Sequence, residues 1–136
     1  MLISSQIASG SQLAVCVWLL TAFLPPLAQA AEAPVGRWFS RLDQLVLQLR
    51  SDGSFAITTP EGKRPPVEGR WEEQGGIITF RNAPTAPVCG GEPGQYRWKR
   101  DASGVLRFEL LHDACQPRVT HMKHPFDPAP AIERPE

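Results

Sequence analysis

Thirteen positions near the carboxy-terminal end, "HDACQPRVTHMKH" at 112–124, hold all three histidines of the chain together with a cysteine, an aspartate and a methionine. Imidazole, thiolate and carboxylate are the groups that bind transition metals, so the first question is whether this segment is a metal site. No His-x-His, HExxH or CxxC spacing occurs in it, and such spacings are what bring two donors onto one face. Read as a strand, 118–122 places Val119 and His121 on one face and Arg118, Thr120 and Met122 on the other. His121 and Met122 then diverge, and His112 could meet His121 only if the chain doubled back. The expectation is no metal centre and no cofactor, with a weak metal carrier using His112 and His121 as the third alternative.

Catalytic sets fare no better. Ser40, Ser51, Ser54 and Ser103 fall at strand ends or turns, outside any nucleophile-elbow pattern. No glycine-rich loop opens a helix to cradle phosphate. Asp113 and Arg118 are the densest polar pair and read as a structural ion pair near a closing seam. The chain is therefore expected not to be an enzyme.

Compartment comes from the other end. The first thirty residues carry no charged side chain, although the chain has 14 Lys+Arg and 14 Asp+Glu. "LAVCVWLLTAFL" at 13–24 is an apolar run far shorter than the roughly 20 residues of a membrane span. Pro25 and Pro26 break it, and "AQA" at 28–30 supplies small residues where a signal peptidase reads. A signal peptide over 1–30 and a periplasmic or secreted product follow. Cys16 precedes most of the apolar run and follows Val15, which argues against lipidation and for no stable membrane anchor. Export leaves Cys89 and Cys115, and an oxidising compartment makes a disulfide the default for an even count. Zero net charge with interspersed signs gives no field to collect nucleic acid.

The positioning elements are strands. Period-two alternation between turn residues marks candidates at 35–40, 44–50, 54–59, 67–72, 77–82, 94–100, 105–111 and 118–122. Leu45, Leu47 and Leu49 share one face, Phe55 and Ile57 the next, and Leu106, Phe108 and Leu110 another. Residues 83–93 read as an irregular crossing loop, and no segment shows a capped helical period. The fold class is all-β: a small antiparallel eight-stranded meander over 31–122, closing into a barrel to remove its edges, with an open two-layer sandwich as the alternative. Residues 123–136, with four prolines in the last thirteen positions, are expected to be a disordered tail.

"GRW" occurs at 36–38 and again at 69–71, with "GQYRW" at 94–98 as a looser echo. A glycine that lets a strand bend and a ring two residues on that fills the same face account for all three. The first, opening the domain, resembles the Gly-x-Trp motif of the calycin superfamily, the lipocalins and their small bacterial lipocalin-like relatives. "GQYRWKR...GVLRFELLHDACQPR" is similar to the closing half of secreted domains that end in Asp-x-Cys-x-x-Arg. The resemblance spans about 35–122. It implies a barrel in which Gly36 and Trp38 form the structural motif, with Arg118 stacked on Trp38. The chain is shorter than full-sized lipocalins and lacks their carboxy-terminal helix.

Seven large rings, Trp38, Phe55, Trp71, Phe80, Tyr96, Trp98 and Phe108, face inward and can fill a small barrel. Trp71, Tyr96 and Trp98 are the candidates for the wall of a shallow ligand site. The function expected is a non-enzymatic exported domain that binds a small apolar or aromatic ligand. The alternative is a protein-interaction or inhibitor module that meets an extracytoplasmic protein through a filled barrel.

Overall fold

The computed structural model describes residues 32–130; the expected signal peptide and the last six residues lie outside them. Eight strands form one antiparallel sheet in the order β7-β6-β5-β4-β3-β2-β1-β8. They are β1 (Gly36–Phe39), β2 (Val46–Leu49), β3 (Ser54–Thr58), β4 (Val67–Gln74), β5 (Ile77–Asn82), β6 (Pro93–Arg100), β7 (Leu106–Asp113) and β8 (Asp127–Pro128). The sheet is strongly curled into a half-barrel, with its concave face packed by alternate residues of each strand.

Connections alternate between two ends. At one end the turns are tight. Gly53, between β2 and β3, has φ +82, the left-handed conformation such turns need, and the Asp52 carboxylate accepts from Ser54 N at 2.8 Å to close it. At the other end the links are long: 40–45, 59–66, 83–92, and the stretch from β7 to β8. That asymmetry puts short turns at one end of the curl and long loops at the other.

The core is a chain of rings meeting edge to face. Phe55 touches Phe80 at 5.3 Å between centroids, Phe80 meets Tyr96 at 6.1 Å and Phe108 at 5.8 Å, and Phe108 meets Phe126 at 5.8 Å. Such pairs add about 0.5–1.5 kcal/mol each beyond burial. The two "GRW" glycines serve different ends. Gly36 has φ +141, which favours glycine over any L side chain. Gly69 is needed for space, because a Cβ there would lie 2.1 Å from the Arg81 carbonyl and 2.7 Å from the Phe55 ring.

Three expectations are corrected. Residues 118–122 are not a strand: Gln116–Met122 form a helix, α1. A strand would bury Thr120 beside Arg118 and Met122, whereas Thr120 is exposed and the other two, four residues apart, are buried. Pro117 in the first turn fixes a helical φ and gives up no hydrogen bond that a helix would use there. The eighth strand lies further on, inside the expected tail. Phe126 is buried in the core, it exchanges backbone hydrogen bonds with Leu106 at 2.8 and 2.9 Å, and β8 pairs with β1 through Trp38↔Pro128 and Phe39↔Asp127. An Arg41/Asp127 ion pair at 2.6 Å and an Arg37 hydrogen bond to the Pro130 carbonyl at 3.0 Å fasten this segment. Finally, Leu110 is not buried. Tyr96 pairs with Leu110 and Gln95 with His112, so Leu111 is an extra residue; the bulge bends the strand and leaves Leu110 48% exposed.

Candidate functional site

Cys89 and Cys115 form a disulfide, with Cα atoms 5.8 Å apart, and it ties the crossing loop to the start of α1. Directly behind it lies a buried polar knot. Asp113, at the end of β7, accepts from Arg118 Nε at 2.6 Å and from Arg118 Nη2 at 2.9 Å, a two-toothed ion pair whose side chains are 0% and 3% exposed. Arg118 also donates to Asn82 Oδ1 at 2.7 Å and to the Glu92 carbonyl at 3.0 Å. Cys115 N donates to Asp113 Oδ1 at 2.8 Å, and the Tyr96 hydroxyl donates to Asp113 Oδ2. Every member is therefore satisfied, which is what makes a buried pair tolerable. Burial alone would raise the Asp113 pKa, but Arg118, Tyr96 and the Cys115 amide outweigh it and hold the carboxyl below its usual range. Burial and the adjacent Asp113 carboxylate push the Tyr96 phenol well above its ordinary value. Gly94 belongs to the same knot, because a Cβ there would sit 2.2 Å from Asp113 Oδ2.

The knot explains the Asp-x-Cys-x-x-Arg pattern: carboxylate, disulfide and guanidinium lock α1 across the loop end. It also corrects the expected stacking. Arg118 sits at the loop end and is spent on Asp113, whereas Trp38 is held at the tight-turn end, its Nε1 donating to the Pro34 carbonyl at 2.8 Å. The cation over Trp38 is Arg100 from the end of β6, with Cζ 5.0 Å from the ring centroid.

Trp71, Tyr96 and Trp98 are all core residues. Trp71 Nε1 donates to the Arg50 and Ser54 carbonyls, each at 3.0 Å, the Tyr96 hydroxyl is committed to Asp113, and Trp98 Nε1 donates to Glu73 at 3.3 Å. Only Trp98 among them edges a described cavity, a shallow one at the tight-turn end beside Glu73, Lys99 and Arg100.

The large cavity is elsewhere. About 750 Å³ of space opens between α1 and the loops of the opposite end, floored by Leu45, Ile57, Val67, Pro87 and Val88. Around that apolar floor the rim is polar, with Asp43, Gln44, Thr59, Glu61, Lys63, Arg64 and His121 on the lining. His121, from α1, meets Asp43 of the β1–β2 loop at 2.6 Å between Nδ1 and Oδ2. Burial would raise the Asp43 pKa, but the neighbouring Ser40 hydroxyl, His121 and the Leu45 amide hold it below the usual carboxylate range. The Ser40 hydroxyl, fully buried, reaches toward this carboxylate while missing full hydrogen-bond geometry. Glu61 pairs with Lys63 at 3.1 Å on the β3–β4 loop.

Three non-glycine residues adopt positive φ among the described residues, Gln44 (φ 61), Glu61 (φ 59) and Cys89 (φ 47). Gln44 and Glu61 line this cavity, and Cys89 adjoins its wall at Val88. Left-handed backbone in such residues costs about 1–2 kcal/mol, and strain of this kind gathers at functional sites. Sequence reading missed the site because its residues come from three loops, the ends of three strands and a helix. One signal was available: all the long connections fall at the same end of an up-and-down sheet.

His112 is exposed near the end of β7, His121 is paired with Asp43, and Cys115 is in the disulfide. No group of three His, Cys, Asp or Glu is placed to hold a metal ion among the described residues. No helix among them is long and apolar enough to cross a membrane. Comparison with protein-family models, with curated proteins and with solved structures finds no match.

Proposed function

We propose that the chain is an exported, non-enzymatic lipocalin-like domain that binds a small apolar ligand at the loop end of its curled sheet. The observation that carries this reading is the cavity of about 750 Å³ with its floor of Leu45, Ile57, Val67 and Val88. Pockets of roughly 300–1,000 Å³ with mostly apolar walls and a few placed polar groups are the usual form of a small-molecule site. The full barrel is part of the proposal: the Leu106/Phe126 bridge joins the two edges of the sheet at one corner, and α1 occupies the rest of the seam. Export is supported by the disulfide and by the charge-free, apolar start of the sequence.

The test is an NMR titration of the mature domain with 1-decanol and with 1-naphthol. Saturable shifts confined to Leu45, Ile57, Val67 and Val88 are expected, and they should vanish in Val88→Trp, whose ring fills the cavity from an exposed loop position. Binding undiminished in Val88→Trp, or no saturable shift with either compound, would remove the reading.

A second reading, a protein-interaction or inhibitor module, draws on Leu110 and Leu111, which are both exposed on β7. A stoichiometric partner from periplasmic or secreted extract that is lost in Leu110→Ser/Leu111→Ser would favour it.

A further inference from the structure

The charges around the cavity are unequally matched. Asp43 is paired with His121, Glu61 with Lys63, and Arg118, itself on the lining, with the buried Asp113. Arg64 is different. Its backbone amide donates to Thr59 Oγ1 at 3.2 Å, but its guanidinium has no ion pair or side-chain hydrogen bond among the described residues. It stands on the cavity lining, next to Pro65 and three residues before Val67 on the apolar floor. A planar guanidinium presents its donors as a fork that matches a carboxylate, and at the edge of an apolar recess it works in a medium less screening than bulk water.

The geometry points to a head-group subsite at Arg64, selecting a monoanionic amphiphile: an apolar chain on Leu45, Ile57, Val67 and Val88, and a carboxylate at the Arg64 fork. Its position on the β3–β4 loop fits that division, since Lys63 and Arg64 directly follow the 3-10 turn at Pro60–Gly62 while Val67 begins β4 and lies on the floor. Lys63 contributes less, being already neutralised by Glu61. The Asp43/His121 pair marks the other side of the cavity, where a fixed carboxylate discourages an anion and keeps the head group at the Arg64 side.

This subsite rests on the ligand reading above, and the experiment separates the two. Calorimetric titration at pH 7.5 uses three probes of equal chain length below their micelle concentrations: decanoate, 1-decanol and decyltrimethylammonium. Decanoate is expected to bind about fivefold tighter than 1-decanol, the size of a favourable, partly exposed ion pair, and the ammonium weakest. Arg64→Gln should bring decanoate down to the level of 1-decanol while leaving 1-decanol unchanged, and Lys63→Gln should keep most of the preference. Arg64 is exposed and its side chain supports no other group, so the variant is expected to fold normally, with an unchanged melting temperature as the check. Equal binding of acid and alcohol overturns the subsite and spares the cavity. Loss of both ligands in Arg64→Gln, loss of the preference in Lys63→Gln instead, or tighter binding of the ammonium also overturns it. Failure of all three probes overturns cavity and subsite together.

Discussion

Tyr96 is the only tyrosine of the chain, so the state of the buried knot can be read from one chromophore. Its phenol is nearly inaccessible, at 1% exposure, and donates to a carboxylate that would repel a phenolate. The folded-state pKa therefore lies above the unfolded value of about 10. A group raised in this way contributes stability that is fully present below about pH 10 and is lost as pH climbs toward the folded value. Absorbance at 295 nm should show ionisation of Tyr96 only together with unfolding, whereas the guanidinium-unfolded chain should titrate near 10. A reversible titration near 10 in the folded protein would contradict the hydrogen bond. Asp113 runs the opposite way: its lowered pKa gives stability above the unfolded value of about 3.9, lost as pH falls through the lower folded value. Replacing Arg118 by Leu strands Asp113 as an uncompensated buried charge, and a loss of about 3–5 kcal/mol is expected in denaturant unfolding. Gly69→Ala should cost about 1–3 kcal/mol by overpacking against the Phe55 ring and the Arg81 carbonyl, a loss that Phe55→Leu in the same chain should partly relieve.

The strands were legible because each repeats one apolar residue every second position for long enough to exclude a helix. β4 to β7 span 6 to 8 residues, and each was expected within two residues at either end. α1 was not legible for the converse reason. "QPRVTHM" is seven residues, and over that length Arg118 and Met122 share a face in a strand and in a helix alike; only the exposure of Thr120 separates the two. What makes it a helix is tertiary: the guanidinium must reach Asp113, and Cys115 must reach Cys89. The disulfide closes a loop whose ends are 26 residues apart, a constraint worth about 3.5 kcal/mol in the chain-entropy model. Cys89→Ser/Cys115→Ser should lower the melting temperature, and in hydrogen exchange the loss of protection should concentrate in 83–92 and in α1, with the β2–β3 hairpin spared. Uniform loss of protection would mean that α1 is not separately held. The ligand site was illegible for a related reason: aromatic residues drew attention to the interior, but interior rings in a small sheet have each other as partners, and free volume collects where the loops are long.

At the scale of the molecule the decisive piece is the end of the chain, where composition alone says disorder. Four prolines cannot feed a continuous ladder of hydrogen bonds, yet a two-residue strand needs few, and Pro128 pairs with Trp38 at the sheet edge, the place proline is tolerated. Phe126 supplies what the composition hides: a fully buried ring against Phe108, and a backbone exchange with Leu106 that brings the two edge strands, β7 and β8, to one corner. Without it the curled sheet would expose two edges and the side of its aromatic core. Ending the mature chain after Lys123 is therefore expected to abolish cooperative unfolding or to drive edge-to-edge association, even though the deleted residues contain only two paired strand positions. Phe126→Ala isolates the packing from the backbone: the loss expected is about 3–5 kcal/mol, the usual cost of deleting a buried phenylalanine ring, with the amides of residues 126 and 129, bonded to Leu106 and Arg37, losing protection first. A truncation at 123 that melts like the full chain would contradict the role assigned to Phe126 and β8.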